Sequence, residues 1–206
     1  ISQVSHPSSI AFLVWGYAFF LAGCGGAVKK IALPALFISG FLIGYSAGIR
    51  YTDFLLAFPP LVLLLPHVRK KDFLSILAYS AGLAIPWGVL ACYHWISFGR
   101  PWATGYSLTG EQTGFSLQYF LDNIRFYAVG ILNSGIGPVA LLSVLGFILL
   151  WRKSRGVAVF FTIWIFPTLL LYTAYYWAPE SRHVGFLRFL LPVFIPAFLL
   201  AADFLK

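Results

Sequence analysis

Methionine is missing from all 206 residues, position 1 included, while cysteine occurs only twice and acidic residues only six times. A complete gene product begins with methionine, and the chain opens on the polar stretch Ile1 to Ser9 with no signal sequence. The expectation is therefore a piece of a longer protein, with earlier segments upstream of Ile1. Cys24 and Cys92 both fall inside apolar runs, which argues against a disulfide framework or a cysteine metal site and makes them small packing residues. Charged residues are 10% of the chain, where a soluble domain carries about a quarter. A soluble fold is excluded. Solenoid repeats, low-complexity tracts, a glycine-rich P-loop, a nucleophilic triad and a metal-ligand cluster are all missing too, so nothing supports nucleotide chemistry.

What fills the chain is apolar: 60% of residues are hydrophobic. Apolar runs lie at 9–28, 31–49, 52–66, 73–96, 134–151, 157–178 and 187–204. Most are long enough to cross a bilayer as helices, whereas barrel strands would be about ten residues with strict alternation. The reading is an all-α polytopic bundle of about seven spans, one transmembrane domain over 1–206, with an external loop and interfacial helix at 97–133. The run 52–66 is short for a span and contains Pro59-Pro60. It is either a kinked, mismatched span or a half-membrane insertion. With seven spans, Lys29-Lys30, Arg69-Lys70-Lys71, Arg152-Lys153-Arg155 and Lys206 share one side, which is cytoplasmic by the positive-inside rule. That bias accounts for most of the net charge of +8, and a nucleic-acid partner is discounted.

The opposite face collects arginine without lysine: Arg50, Arg100, Arg125, Arg182 and Arg188, with Asp53, Glu111, Asp122 and Glu180 among the acids. The arginine fork grips phosphate in a fixed geometry. Gly40 to Pro60 is the most informative stretch. One helix over 31–66 would be roughly 54 Å long at about 1.5 Å per residue, against a hydrocarbon core of roughly 30 Å. The chain must turn near Arg50, which brings Arg50, Tyr51, Thr52 and Asp53 to a membrane face. A second such stretch joins Glu180, Ser181, Arg182 and His183 to Arg188 at the mouth of the last run. A lone arginine there is commonly a snorkelling anchor, and the grouping is what points to phosphate.

Gly40, Gly44 and Gly48 share one helix face and predict close helix packing. Over 115–128, Phe115, Leu117, Phe120, Leu121, Ile124, Tyr127 and Ala128 recur at helical spacing, with Gln118, Asp122, Asn123 and Arg125 on the other side. Such a helix lies in the interface, either capping the bundle or lining a lipid-entry groove. Tyr93, Trp95, Trp151 and Tyr175 to Trp177 read as interfacial anchors, the last group also placed to stack on a sugar.

At the glycine-spaced helix running into Gly48-Ile49-Arg50-Tyr51-Thr52, and at Arg188-Phe189-Leu190-Leu191-Pro192 with Pro196, the chain resembles the GT-C class of polytopic glycosyltransferases. The relatives in question are those of dolichyl-phosphate-mannose protein mannosyltransferase. The loop Gly99-Arg100-Pro101-Trp102-Ala103-Thr104-Gly105-Tyr106 looks like that class as well, and the resemblance covers most of the chain. It implies an enzyme of a prokaryotic inner (plasma) membrane. Such an enzyme transfers a sugar from a polyprenyl-phosphate donor to a lipid, glycan or protein on the outer face. The chemistry needs a carboxylate for the acceptor hydroxyl and cations for the departing phosphate. The resemblance puts that carboxylate in a loop after the first span, which Ile1 to Ser9 cannot supply, so it is expected upstream. Arg188 is then the first candidate for the donor phosphate, Arg50 the second, and Arg182 and His183 follow. Asp53, Tyr51 and Glu180 are supporting residues, the two acids neutralising and orienting their arginines, with a role as base the alternative. No cofactor is required by this reading, and a divalent cation is left open. A transporter or flippase for a charged lipid or anion, and a non-catalytic membrane subunit, are the rival readings.

Overall fold

The computed structural model describes residues 5–24, 32–69, 73–105, 107, 114–176 and 184–206, with the side chains of residues 5, 66–69 and 184–186 left aside. Glu180, Ser181, Arg182 and His183 lie outside the described residues, as do Lys29-Lys30, Lys70-Lys71, Glu111 and Trp177. Among the described residues the fold is all-helical. Three helices are long and apolar enough to cross a membrane, Phe73–Phe98, Arg155–Thr173 and Leu187–Phe204, and a bent pair makes a fourth when taken as one span. The chain divides into two compact units, Ile1–Thr109 and Gly110–Lys206.

The first unit contains α1 (Ser5–Gly23), α2 (Leu33–Ile49), a 3-10 helix at Tyr51–Ala57, α3 (Phe58–Arg69) and α4 (Phe73–Phe98). Glycines fix how these helices meet. A methyl group on Gly40 would collide with the carbonyl of Tyr79, one on Gly82 with that of Phe37, and one on Gly44 would come within 2.7 Å of Pro86. Gly40, Gly44 and Tyr51 meet Tyr79, Pro86 and His94 in turn, so α2 and α4 run parallel, with their backbones in close approach at the glycines. Partners of α1 and α2 fall in opposite order, Gly16 against Ile43 and Gly23 against Leu36, and that pair is antiparallel. Gly48 departs from the expected packing face: it is exposed, with nothing within 4 Å of where its Cβ would stand.

Two parallel helices require the chain to come back between them. The 3-10 helix and α3 do so, because by Ala57 the chain is beside Tyr79, which itself lies against Gly40. Seven residues at about 2.0 Å each and twelve at about 1.5 Å give this leg roughly 32 Å, longer than an α-helix over the apolar run alone. Tyr51–Leu65 is counted among the shorter apolar helices and not among the three of spanning length. Pro59 and Pro60, both fully buried, carry no N–H and leave the carbonyls of Leu56 and Ala57 without their 3-10 donors, Leu56 also without its α-helical one. The buried hydroxyls of Tyr17 and Tyr79 donate to those two carbonyls, at 2.7 and 3.0 Å. Away from water, backbone groups so exposed have to be satisfied from within the protein.

The second unit contains α5 (Leu117–Asn133), α6 (Gly137–Lys153), α7 (Arg155–Thr173), a 3-10 helix at Val184–Leu190 and α8 (Leu191–Phe204). The helices α5 and α6 meet at 107°. Gly146 of α6 sits against the Leu200 carbonyl of α8, where a Cβ would clash. Pro196 deprives the Pro192 carbonyl of its donor, and the Trp164 indole N–H of α7 replaces it at 3.0 Å. Tyr127, Tyr172, Leu187, Leu190 and Phe194 form the core.

In α5 the expected two-sided pattern is redistributed. Asn123, read as part of the outward polar side, is fully buried and donates to the carbonyls of Thr173 and Tyr175 at 3.0 and 2.9 Å. Its amide caps the end of α7, where backbone acceptors run out of helical donors. Leu117, Leu121 and Ile124 are exposed, while Phe120 and Tyr127 turn inward. Cys92, expected to pack, is exposed on α4, and both cysteines are free thiols.

Candidate functional site

Where α2 stops, Arg50 takes an extended conformation, its N–H still bonded to the Ser46 carbonyl and its own carbonyl accepting from the Asp53 N–H. The 3-10 helix that follows repeats every three residues, so side chains at i and i+3 eclipse. Arg50, Asp53 and Leu56 therefore fall on one line, and all three are buried. Arg50 is 8% exposed and Asp53 only 2%, the guanidinium lying within electrostatic reach of the carboxylate. Ser9 of α1, fully buried, donates a short hydrogen bond to Asp53 Oδ2. The polar N-terminal turn of α1 thus meets the turn after α2. Removing either charge would strand the other away from water.

Tyr51 turns the other way. Its ring is 38% exposed, and Tyr51 Oη lies 3.1 Å from Nε2 of His94, a residue of α4 that is 3% exposed. The two rings meet edge-on with centroids 5.5 Å apart, and Tyr93 and Phe98 stand 5.8 Å from the imidazole. Helix α4 ends just beyond, at Gly99, whose φ of +73° suits glycine. His94 escapes a reading of the sequence because a single histidine in an apolar run has no spacing signal; its partner is 43 residues away.

Next to this cluster, an open groove of about 180 Å³ lies between α2 and α4, lined by Tyr45, Gly48, Ile49, Pro86 and Leu90. Gly48-Ile49 immediately precede Arg50-Tyr51, and Leu90 is one turn before His94 on the same side of α4. The glycine that takes no part in helix packing is the one that opens the groove. The groove and the Tyr51–His94 contact are thus neighbours along both α2 and α4.

Arg188 belongs to the second unit. In the 3-10 helix Val184–Leu190 the buried line is Leu187 and Leu190, three apart, and Arg188 falls off that line and is exposed. Its guanidinium carbon is 5.1 Å from the Phe189 ring centroid, and Phe189 in turn lies 5.3 Å from Tyr172. An arginine held on an aromatic face keeps its donors available to an anion. In the same unit, a larger apolar groove of about 420 Å³ is lined by Phe115, Ser116, Leu117, Phe120, Leu170 and Ala174.

Of the site residues expected from sequence, Arg50, Asp53 and Tyr51 are thus brought together in the first unit, and Arg188 is presented by the second. Arg182, His183 and Glu180 lie outside the described residues. Among the described residues no three His, Cys, Asp or Glu side chains cluster closely enough to hold a metal ion. Comparisons with protein-family models, curated proteins and solved structures returned no match.

Proposed function

We propose that this chain is part of an integral-membrane glycosyltransferase of about seven spans, GT-C-like in architecture, in which it handles the phosphate of a polyprenyl-phosphate sugar. The site faces outward, the lysine-rich loops lie in the cytoplasm, and the membrane is the inner membrane of a prokaryote. The acceptor is a lipid, glycan or protein. The observation that carries this reading is the α2–α4 groove, whose lining residues Gly48, Ile49 and Leu90 directly precede Arg50-Tyr51 on one helix and stand one turn before His94 on the other. A polyprenyl phosphate has the same two parts, an apolar chain and an anionic head. Tyr51 meets the head, and the buried Arg50 adds positive charge at the turn behind it. Arg188, in the second unit, is by itself an exposed cation whose guanidinium suits a phosphate. Asp53, enclosed between Arg50 and Ser9, is assigned no part in deprotonating the acceptor.

The test is sugar transfer from a labelled polyprenyl-phosphate sugar by membranes containing the full-length protein. Transfer that Arg188→Ala abolishes, with insertion intact, supports the assignment. Flux of lipid or anion across proteoliposomes without any glycosylated product overturns it in favour of a transporter.

A further inference from the structure

Resting on that reading, we infer that His94 is a positioning residue for the lipid phosphate, acting through Tyr51. Tyr51 Oη and His94 Nε2 are 3.1 Å apart and share one hydrogen bond. A neutral imidazole nitrogen is either a donor or an acceptor, whereas a phenol can do both at once. Oxygens of an ionised phosphate only accept. For Tyr51 to bind such a head group, its hydroxyl proton must point at the phosphate, so the bond to His94 must run from Nε2–H to Oη. His94 is thereby required to carry a proton on Nε2.

Burial keeps the imidazole from meeting the ligand itself, since His94 is 3% exposed while Tyr51 is 38% exposed. Its edge-on contact with the Tyr51 ring, and the flanking rings of Tyr93 and Phe98, hold the orientation that the bond needs. Leu90, one turn earlier on α4, lines the groove assigned to the chain of the lipid. One helix thus shapes the apolar part of the site and sets the hydroxyl at its polar end.

The experiment measures binding of a short-chain polyprenyl monophosphate, and of the matching uncharged polyprenol, to the full-length protein in nanodiscs. Wild type, Tyr51→Phe, His94→Phe, His94→Gln and the Tyr51→Phe/His94→Phe double variant are compared. Losing a hydrogen bond to a charged group weakens phosphate binding about tenfold in Tyr51→Phe. His94→Phe loses a similar factor, polyprenol binding is unchanged in both, and the double variant is no weaker than either single one. His94→Gln, whose amide can donate to Tyr51, recovers most of the loss. Independent, multiplying losses in the double variant, or an equal fall in polyprenol binding, make His94 merely structural and overturn the inference. A wild type that prefers the phosphate while His94→Phe leaves that preference intact also overturns it. No phosphate preference in the wild type sinks the underlying lipid-phosphate reading itself.

Discussion

Arg50 and Arg188 are both expected from sequence to meet phosphate, and both sit on or beside a 3-10 helix, yet one is buried and the other open. The difference is phase. In the first unit the buried line of the 3-10 helix runs through Asp53 and Leu56, and Arg50 lies on it; in the second it runs through Leu187 and Leu190, and Arg188 lies off it. With a repeat of three residues, a shift of one position turns a side chain by about 120°. Arginine count and membrane depth thus say little about which charge a ligand can reach. That is decided by register.

The sharpest way to break the contrast is to truncate each arginine. Arg50→Ala leaves the Asp53 carboxylate buried beside Ser9 without the nearby cation and is expected to cost about 1 to 3 kcal/mol of stability, read as unfolding of the full-length protein in detergent. Arg188→Ala is expected to leave that unfolding curve in place while turnover drops about 10²- to 10³-fold. Reversed outcomes would mean that the enclosed arginine is the one that meets substrate.

A comparable effect on stability tests whether the proline caps hold the two registers. Tyr17→Phe strips the Leu56 carbonyl of its donor and Trp164→Phe does the same to Pro192, each at about 1 to 3 kcal/mol. Adding Pro60→Ala to Tyr17→Phe returns an N–H to the Leu56 carbonyl and is expected to recover part of the loss; no recovery would show that the hydroxyl matters for something besides the missing donor. Within α2, Gly40→Ala forces a methyl group into the Tyr79 carbonyl and should destabilise by about 1 to 3 kcal/mol. Gly48→Ala, which meets open space, should change stability by less than about 0.5 kcal/mol. Equal effects at the two glycines would contradict the groove beside Gly48.

Composition makes the membrane class readable, because apolar runs of spanning length, repeated along a chain so poor in charge, would leave a water-soluble fold with too little polar surface. The turn at Arg50 is readable from length, since a bilayer limits how far one helix can run. The spacing of Gly40 and Gly44 also carries real packing information. Direction does not come through. Asn123 looks like a member of a polar face, but its partners are backbone carbonyls fifty residues on, which no periodicity reports. His94 has no local pattern to announce it, and Gly48 repeats a spacing whose neighbour, by that point along α2, has moved away. The parallel course of α2 and α4 is equally hidden, because it depends on Tyr51–Ala57 being 3-10 and so long enough to return. Glutamate or arginine content gives no clue to such a choice; two buried prolines and two tyrosine hydroxyls favour it.

The Tyr51–Ala57 helix also limits how this protein can change over evolution. Because it repeats every three residues, one or two residues inserted before Asp53 would swing its carboxylate away from Arg50 and Ser9, and one or two inserted after it would turn Leu56 off the buried line, whereas three inserted after it would lengthen the leg by about 6 Å and keep that line. Length variation in this stretch should therefore come in whole turns, a reading frame written in the backbone.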